Sequence, residues 1–140
     1  MLPTHIALVL LLMMSLIKSF KIRISGAGVS CANGLYHRQD PSAIPVAFAK
    51  VCKKQLWDTE ATWKQLTDME TPWYLKEDDG YIYYNRGDGK WWLDDGEKGL
   101  GLYIVPVGGN TQVPPTTGWD VLSNEYQPIP SIEIEAEEEL

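Results

Sequence analysis

The sequence has few of the residue types on which catalytic and metal sites are usually built. Its 140 residues include two cysteines and two histidines, and His37 is the only histidine that follows the apolar N-terminal run. The spacing of Cys31 and Cys52 does not match the paired Cys-x-x-Cys ligands of a zinc site. No serine, cysteine or carboxylate pair stands at a spacing that suggests an activated nucleophile or base. We therefore expect no metal, no cofactor and no enzymatic activity.

Positive charge is scarce as well. Twelve lysine and arginine residues stand against 19 acidic residues, and the formal net charge is −7. This balance argues against a nucleic-acid partner, because neutralising phosphates requires a basic stripe. Much of the acidic charge belongs to the last residues, and we expect the proline-interrupted segment 124–140 to be a flexible acidic tail.

The N-terminus contains a long apolar run, residues 6–17. The run has the length of a signal-peptide core and is short for a membrane span, which needs about 20 apolar residues. Residues 1–19 are therefore predicted to be a cleaved signal peptide of a secreted or lumenal protein. Two alternatives stay open. Lys18, Lys21 and Arg23 follow the run as they would follow an uncleaved membrane anchor, and the run could instead be buried in the domain.

Two cysteines in a secreted chain predict one disulfide, between Cys31 and Cys52. Such a bridge would close a loop of about 20 residues and stabilise the fold by about 3 kcal/mol. The alternative is a pair of unrelated buried thiols, which a cytosolic location would favour.

Alternation of apolar and polar residues predicts several strands outside the centre of the chain. Residues 20–25 have the period of a half-buried strand, and residues 119–122 are expected to form a last short strand. We also expect a strand in the mostly apolar segment 42–52, with Pro45 near its start.

A single short helix is predicted after residue 57. Asp58 or Thr59 can act as its N-cap, and Trp57 and Ala61 would share one side of it. We expect one to three turns.

The centre of the chain, residues 78–96, predicts two tight hairpins. Asp79-Gly80 and Asp88-Gly89 are each flanked by strand-forming residues, which is the strongest short-range signal for a two-residue turn. A fourth strand can follow in residues 100–105 and complete a meander. The predicted fold class is mainly β: an antiparallel meander that forms a small sandwich or partly open barrel in one domain, residues 20–123, with one short helix.

Counting outward from the two turns predicts which side chains share a face of the sheet. Leu75 would pair with Tyr84, and Asn85 would pair with Trp92. The core face would then carry Trp73, Leu75, Ile82, Tyr84, Trp91 and Leu93. The opposite face would carry Tyr74, Lys76, Tyr81, Tyr83, Trp92 and Asp94.

The second face suggests a ligand-binding platform, because exposed aromatic rings can stack on sugar rings. Asn85 and Asp94 would supply hydrogen bonds beside the rings. The candidate residues are Tyr74, Tyr81, Tyr83, Asn85, Trp92 and Asp94. The alternative is that residues 42–51 or the N-terminal segment cover this face, which the aromatic content of so short a chain favours.

A second candidate site is the triplet Arg86-Gly87-Asp88 at the tip of a predicted hairpin. In a secreted chain it could act in integrin-type adhesion. A loop bounded by glycine and acidic residues produces this triplet easily, and Asp88 also has a role in the turn. The turn is the favoured interpretation.

The order of short motifs along the chain resembles that of a known module. The motifs "ISGAG", "NGLY", "GYIYYNRGDGKWWL", "GLYIV" and "PPTTGW" follow one another between Ile24 and Leu122. This order is similar to that of an uncharacterised small β-rich module of eukaryotic proteins, with a Gly-Ala-Gly start, a Tyr-rich strand, a Trp-rich strand and a terminal Gly-Trp. The resemblance implies a small β-rich fold that usually accompanies other domains, and it brings no catalytic residues.

These observations predict a non-catalytic binding or structural module that acts through an aromatic sheet face on a protein or glycan partner. A carbohydrate-binding module and an integrin-type adhesion protein are the alternatives. A membrane partner is expected only if residues 6–17 are retained.

Overall fold

The computed structural model describes residues 19–77, 79–109 and 112–137, and it confirms the mainly β fold class. Two helices and eight strands form the described chain. The strands are β1 (Ser19–Ser25), β2 (Gly34–Gln39), β3 (Trp73–Lys76), β4 (Tyr81–Asn85), β5 (Lys90–Asp94), β6 (Gly101–Pro106), β7 (Asp120–Val121) and β8 (Ser131–Glu137). The helices are α1 (Val46–Gln55) and α2 (Thr59–Leu66), with short 3-10 turns at Ser30–Ala32 and Asn124–Tyr126.

The strands form one antiparallel sheet that curls into a half-barrel. Its order is β7-β6-β5-β4-β3-β2-β1-β8, so the first seven strands form a meander. Strand β8 returns to the start of the sheet and pairs with β1. Both helices lie in the connection between β2 and β3.

The predicted short helix is α2, and its predicted N-cap is confirmed. The Asp58 carboxylate accepts a hydrogen bond from the Ala61 backbone N at 2.9 Å. This bond satisfies one of the amide groups that the first turn of a helix leaves unpaired.

The segment predicted as a strand, residues 42–52, forms most of α1 instead. Pro45 precedes the helix with φ of −57°, which suits a helix start as well as it suits an edge strand. Ala47, Phe48 and Cys52 are buried, and their spacing is that of one helix face. The strand prediction was wrong because a short apolar run fits either period.

The turn between β3 and β4 is longer than predicted, and this exchanges the two faces of β3. Leu75 pairs with Tyr81 instead of Tyr84, and Tyr74 pairs with Ile82. The register shift is odd, so every side chain of β3 points to the other face. Trp73 and Leu75 therefore join the face of Tyr81.

The turn between β4 and β5 is also longer than predicted, yet the faces are preserved. Asn85 pairs with Lys90 instead of Trp92. This shift is even, so the predicted grouping of Ile82 and Tyr84 with Trp91 and Leu93 is right.

Side chains pack on both faces of the sheet. The large core draws on seven of the eight strands and includes Ile22, Ile24, Tyr36, Tyr74, Ile82, Trp91, Leu93, Leu102, Tyr103, Val105 and Ile132. The helix-side core lies beneath α1 and α2 and consists of Ala47, Phe48, Cys52, Trp63, Trp73, Tyr81 and Tyr83. The face predicted to bind a ligand is thus a second core.

The segment predicted as a flexible acidic tail contains an ordered strand. Strand β8 pairs with β1 along its length. Ile132 and Ile134 pack against the large core, while the Glu135 carboxylate accepts from Arg23 Nε at 2.8 Å. The prediction weighed the prolines and the charge, and it overlooked the period-two alternation of "SIEIE".

The predicted signal peptide lies outside the described residues, apart from Ser19, which opens β1. Its cleavage and the secreted or lumenal location stay predictions. In the described part of the chain, no helix has the length and apolar character needed to cross a membrane.

Candidate functional site

Four of the six residues of the predicted aromatic platform are packed inside the protein, while Asn85 and Trp92 are half-buried. Tyr81 and Tyr83 are 1% and 6% exposed, and Asp94 is 8% exposed. Tyr74 is fully buried in the large core, on the opposite face, because of the register of β3. The prediction of an exposed platform is wrong. The alternative, in which residues 42–51 cover this face, is confirmed by α1.

Trp63 lies at the centre of the aromatic rings under the helices. Its ring centroid is 5.0 Å from Phe48, 6.2 Å from Trp73 and 5.7 Å from Tyr83. The first two contacts are edge-on, a geometry worth about 0.5–1.5 kcal/mol beyond the burial itself. The aromatic content that suggested a sugar platform holds the helical layer on the sheet.

The Arg86-Gly87-Asp88 triplet forms the turn between β4 and β5, and its arginine bonds within the protein. Arg86 donates from its backbone N to the Leu66 carbonyl at 2.9 Å and from Nε to the Gln65 carbonyl at 3.1 Å. These bonds tie the turn to the end of α2. A partner that recognises the triplet would have to compete for the guanidinium.

Asn85, Trp92 and Asp88 stabilise the same turn. The Asn85 Oδ1 accepts from the Gly87 backbone N at 2.8 Å, and the Asp88 Oδ2 accepts from Trp92 Nε1 at 2.8 Å. The Asp88 Oδ1 accepts from the Lys90 backbone N at 3.0 Å. The contacts favour the turn interpretation of the triplet.

Cys31 and Cys52 are free thiols, so the predicted disulfide is absent. Cys52 is fully buried in the helix-side core, whereas Cys31 is exposed in the 3-10 turn after β1. The Cys52 sulfur is enclosed beneath α1 and Cys31 lies at the surface, so the two sulfurs are not bonded. Burial is the largest influence on both groups and raises the pKa of each thiol.

The junction between α1 and α2 displays two large apolar side chains, Leu56 and Trp57, which we call the helical tip. Leu56 is 93% exposed and Trp57 is 54% exposed. Their backbone is nevertheless fixed, because the amides of Leu56 and Trp57 donate to the carbonyls of Lys53 and Cys52 at 3.3 and 2.9 Å.

Leu56 also has an unfavourable backbone conformation. Its φ and ψ of 61° and 35° are left-handed, a conformation that glycine usually adopts where a helix ends. The left-handed conformation costs a residue with a Cβ about 1–2 kcal/mol. The conformation of Leu56 therefore lowers the stability of the fold, and the exposed side chain offsets little of this loss by packing.

Lysines lie beside the helical tip. Helix α1 carries Lys50, Lys53 and Lys54 and no acidic residue. A cavity of about 270 Å³ next to them is lined by Ala47, Lys50, Val51, Lys54, Gly96, Glu97 and Lys98. The turn between β5 and β6 brings Lys98 there. It approaches α1 closely at Gly99, where an added Cβ would collide with the helix.

A second cavity, also of about 270 Å³, lies beside the same turn and has an acidic lining. It is lined by Cys31, Ala32, Gly80, Asp94, Asp95, Gly96, Glu97 and Leu102. The Asp94 Oδ2 accepts from the Tyr81 hydroxyl at 3.2 Å, and the Asp94 Oδ1 has no hydrogen-bond partner among the described residues. Burial raises the pKa of Asp94 to about 7, against the opposing effect of the Tyr81 hydrogen bond.

The helical tip does not follow from the sequence patterns described above. Its signal is the segment "KKQLW", in which two lysines precede two large apolar residues at a helix end that lacks glycine. The segment was overlooked because residues 42–52 were predicted to form a strand and Trp57 was grouped with Ala61 on one side of α2.

Comparison of the chain with protein-family models, curated proteins and solved structures finds no match.

Proposed function

We propose that the protein is a non-catalytic binding module that docks on anionic phospholipid membranes through the helical tip. The observation that carries the proposal is the exposure of Leu56, 93%, in an ordered turn. Its exposure and its left-handed conformation both act against stability. A large apolar residue that is both exposed and held in an unfavourable backbone conformation indicates a functional role.

A bilayer suits the shape of the helical tip. A side chain that is 93% exposed has almost no packing contacts within the protein, so a partner that buries it has to enclose it from outside. A bilayer can enclose the tip, with Leu56 among the acyl chains and Trp57 at the headgroup level, where tryptophan is enriched. Full burial of a leucine side chain contributes about 1.5–3 kcal/mol.

The charge of α1 complements an anionic surface. Each lysine near such a surface contributes about 1 kcal/mol, and Lys50, Lys53 and Lys54 lie on the helix that leads into the tip. Asp58 and Glu60 of the α2 side oppose this attraction in part. Since the whole chain carries a net charge of −7, the attraction is local and should weaken as salt concentration rises.

Vesicle sedimentation tests the proposal. The full chain should pellet with phosphatidylcholine vesicles that contain phosphatidylserine, and it should bind pure phosphatidylcholine vesicles much more weakly. Leu56→Gly removes the side chain and relieves the left-handed strain, so this variant should fold at least as stably as the unchanged protein. It should bind anionic vesicles at least about tenfold more weakly.

The matched control is Ile129→Gly, which removes another exposed aliphatic side chain, 40% exposed, from the segment before β8. It should leave vesicle binding unchanged. Residues 1–18 are the same in every variant, so a difference between variants reports on the tip. Equal binding by the Leu56→Gly variant and the unchanged protein would contradict the proposal, and so would equal binding to the two kinds of vesicle.

The proposal differs from the partner classes expected from the sequence. Glycan stacking on Tyr81 and Tyr83 has no support, because the helices cover both rings. Membrane contact through the helical tip does not require residues 6–17 to be retained. Catalysis is not part of the proposed role.

A further inference from the structure

The cavity of about 270 Å³ that α1 forms with the turn between β5 and β6 has three lysines in its lining, and we call it the lysine cavity. Helix α1 contributes Lys50 and Lys54, and the turn contributes Lys98. Because Lys50 and Lys54 are four residues apart, their side chains lie one turn apart on the same face of the helix. The three lysines therefore border one space from two separate parts of the fold.

The close approach of the turn to α1 depends on a glycine. Gly99 has a φ of +67°, and a Cβ added there would collide with the Val51 side chain of α1. The Gly99 backbone N donates to the Asp95 carbonyl at 2.8 Å, and the Asp95 backbone N donates to the Leu100 carbonyl at 2.8 Å. The position of Lys98 beside α1 is therefore a property of an ordered turn.

The positive charge around the lysine cavity is poorly balanced. Three ammonium groups border it, against the one carboxylate of Glu97. In the part of the chain that the structure describes, none of the three lysines forms an ion pair. Like charges four residues apart on a helix destabilise it, and a third positive charge beside them adds to the repulsion. An anion bound among the three lysines would relieve this repulsion.

Lysines in the last turn of a helix also have a simpler role, because they interact favourably with the partial negative charge of the helix C-terminus. That role accounts for Lys53 and Lys54, which lie in the last turn of α1. It does not account for Lys50, which lies one turn before Lys54, or for Lys98, which belongs to another element. These two lysines border the cavity as well, so the surplus of positive charge belongs to the cavity.

The size and the charge of the lysine cavity indicate a compact anion. Lysine ammonium groups bind phosphate oxygens as point charges, and several of them together favour a phosphate with two negative charges over one with a single charge. The volume of about 270 Å³ is just below the range of about 300–1,000 Å³ that is usual for ligand pockets. Lys54 stands two residues before Leu56, so a bilayer that encloses the helical tip brings its headgroups to the cavity.

We propose that the lysine cavity binds the terminal phosphate of a membrane lipid, a phosphomonoester such as that of phosphatidylinositol 4-phosphate. This inference rests on the membrane proposal and narrows it, since the helical tip attaches the protein to the bilayer and the cavity selects the lipid. A phosphomonoester carries about 1.5–2 negative charges at neutral pH, and phosphatidylserine has no such group. The ammonium groups of Lys50, Lys54 and Lys98 surround the phosphate, and the Glu97 carboxylate opposes its binding.

The test is sedimentation of the full chain with two sets of phosphatidylcholine vesicles that have the same total headgroup charge. One set contains phosphatidylinositol 4-phosphate and the other contains phosphatidylserine. The ratio of the two affinities, which we call the lipid preference, is free of the general attraction of lysines to an anionic surface. The unchanged chain should bind the phosphoinositide vesicles at least about fivefold more tightly.

Substitutions in the turn report on the cavity itself. Lys98→Gln should lower the lipid preference at least about threefold, because it removes one of the three ammonium groups. Glu97→Gln should raise it by about threefold, because it removes a carboxylate from the lining. Both side chains are exposed and lie outside the two cores. A gain of affinity in the Glu97→Gln variant cannot come from a loss of folding.

The matched control is Lys53→Gln, because Lys53 is an exposed lysine of the same helix and is not among the residues that line the cavity. It should weaken binding to both kinds of vesicle alike and leave the lipid preference unchanged. Leu56→Gly should do the same, since the helical tip contacts both kinds of bilayer. A preference that falls equally in the Lys53→Gln and Lys98→Gln variants would overturn the inference, because the charge of the whole surface would then decide.

The unchanged chain separates the two proposals. Equal binding to the two charge-matched vesicles would overturn the lysine cavity as a phosphomonoester site and leave the membrane proposal standing. Binding to neither kind of vesicle would contradict the membrane proposal itself, and this inference with it.

The soluble headgroup, glycerophosphoinositol 4-phosphate, distinguishes a membrane lipid from a free phosphate compound. It should shift the backbone amides of Val51, Gly96 and Lys98 in NMR spectra of the isotope-labelled full chain. Its affinity should be at least about tenfold below that of the phosphoinositide vesicles, because it makes no contact with Leu56. Equally tight binding of the soluble headgroup would overturn the assignment to a membrane lipid.

Discussion

The carboxyl group of Asp94 has a consequence for folding. Its pKa rises from the ordinary 3.8 to about 7 in the folded protein, because burial disfavours the charged form. The folded state therefore holds this proton more tightly than the unfolded state does. Below about pH 4 both states are protonated and the group has no effect. From there to about pH 7 the unfolded chain ionises first, so stability falls as pH rises.

We predict that Asp94→Asn removes this pH dependence. The free energy of unfolding of the variant, relative to the unchanged protein, should increase by about 2–4 kcal/mol between about pH 4 and pH 7. It should then stay constant at higher pH. The measurement is urea unfolding followed by tryptophan fluorescence at a series of pH values.

Asp120 provides the comparison, because its side chain is exposed. The pH profiles of the Asp120→Asn variant and the unchanged protein should run parallel. Parallel profiles for Asp94→Asn as well would show that Asp94 ionises in the folded protein as it does in the unfolded chain.

Leu56 illustrates a property of single residues that patterns in the sequence do not reveal. The sequence pattern put Trp57 and Ala61 on one side of the predicted helix and gave Leu56 no role. Whether such a residue is buried depends on the direction in which the chain leaves the helix. Here the left-handed conformation of Leu56 sets that direction, and only the three-dimensional structure contains it.

Strand β8 lies in the segment that the sequence predicted to be a flexible tail. Ile132 is 7% exposed and packs in the large core. We predict that Ile132→Ala lowers the free energy of unfolding by about 2–4 kcal/mol, because it leaves a cavity in a packed core. Urea unfolding at a fixed pH measures the loss.

The neighbouring Glu133→Ala is the matched control, since Glu133 is exposed on the other face of β8. Its effect should be within about 0.5 kcal/mol. If Ile132→Ala had an equally small effect, β8 would contribute little to stability and the sequence prediction of a flexible tail would stand.

The success of prediction varied among strands and helices for identifiable reasons. The aromatic and β-branched residues of β4 and β5 predicted both strands. The length of the turn between them was wrong, but the faces were predicted correctly because the register shifted by an even number of residues. The predicted face of β3 was wrong, because the turn between β3 and β4 is longer than predicted by an odd number of residues. Helix α1 was missed because its ten residues end in "KVCKKQ", where neither period is clear.

Considered as a unit, the protein has one basic helix and one acidic edge strand. The lysines of α1 lie on the helical layer, while Glu133 and Glu135 lie on β8 at the edge of the sheet. Both cavities meet at the turn between β5 and β6, which joins residues distant in sequence, such as Lys50 and Lys98 or Cys31 and Asp94. The fold class follows from local patterns, but these groupings depend on the packing of α1 against the turn.

The two thiols test the folded structure as a whole, because their reactivities depend on separate layers of it. We predict that the native full chain reacts with Ellman's reagent at one thiol, Cys31, and that Cys52 reacts only after unfolding. Labelling of Cys31 should be slower at neutral pH than that of a free cysteine and should accelerate as pH rises, because burial and the nearby Asp95 raise its pKa.

Cys31→Ser identifies the reacting group, since it should abolish labelling of the native protein and leave one thiol after unfolding. The opposite outcome is that no thiol reacts in the native protein and two thiols react after reduction and unfolding. That outcome would support the disulfide predicted from the sequence. That outcome would require Cys52 to leave the helix-side core, where it is fully buried beside Phe48 and Trp63. The same displacement would move Lys53 and Leu56, so the thiol assay also tests the geometry on which the membrane proposal rests.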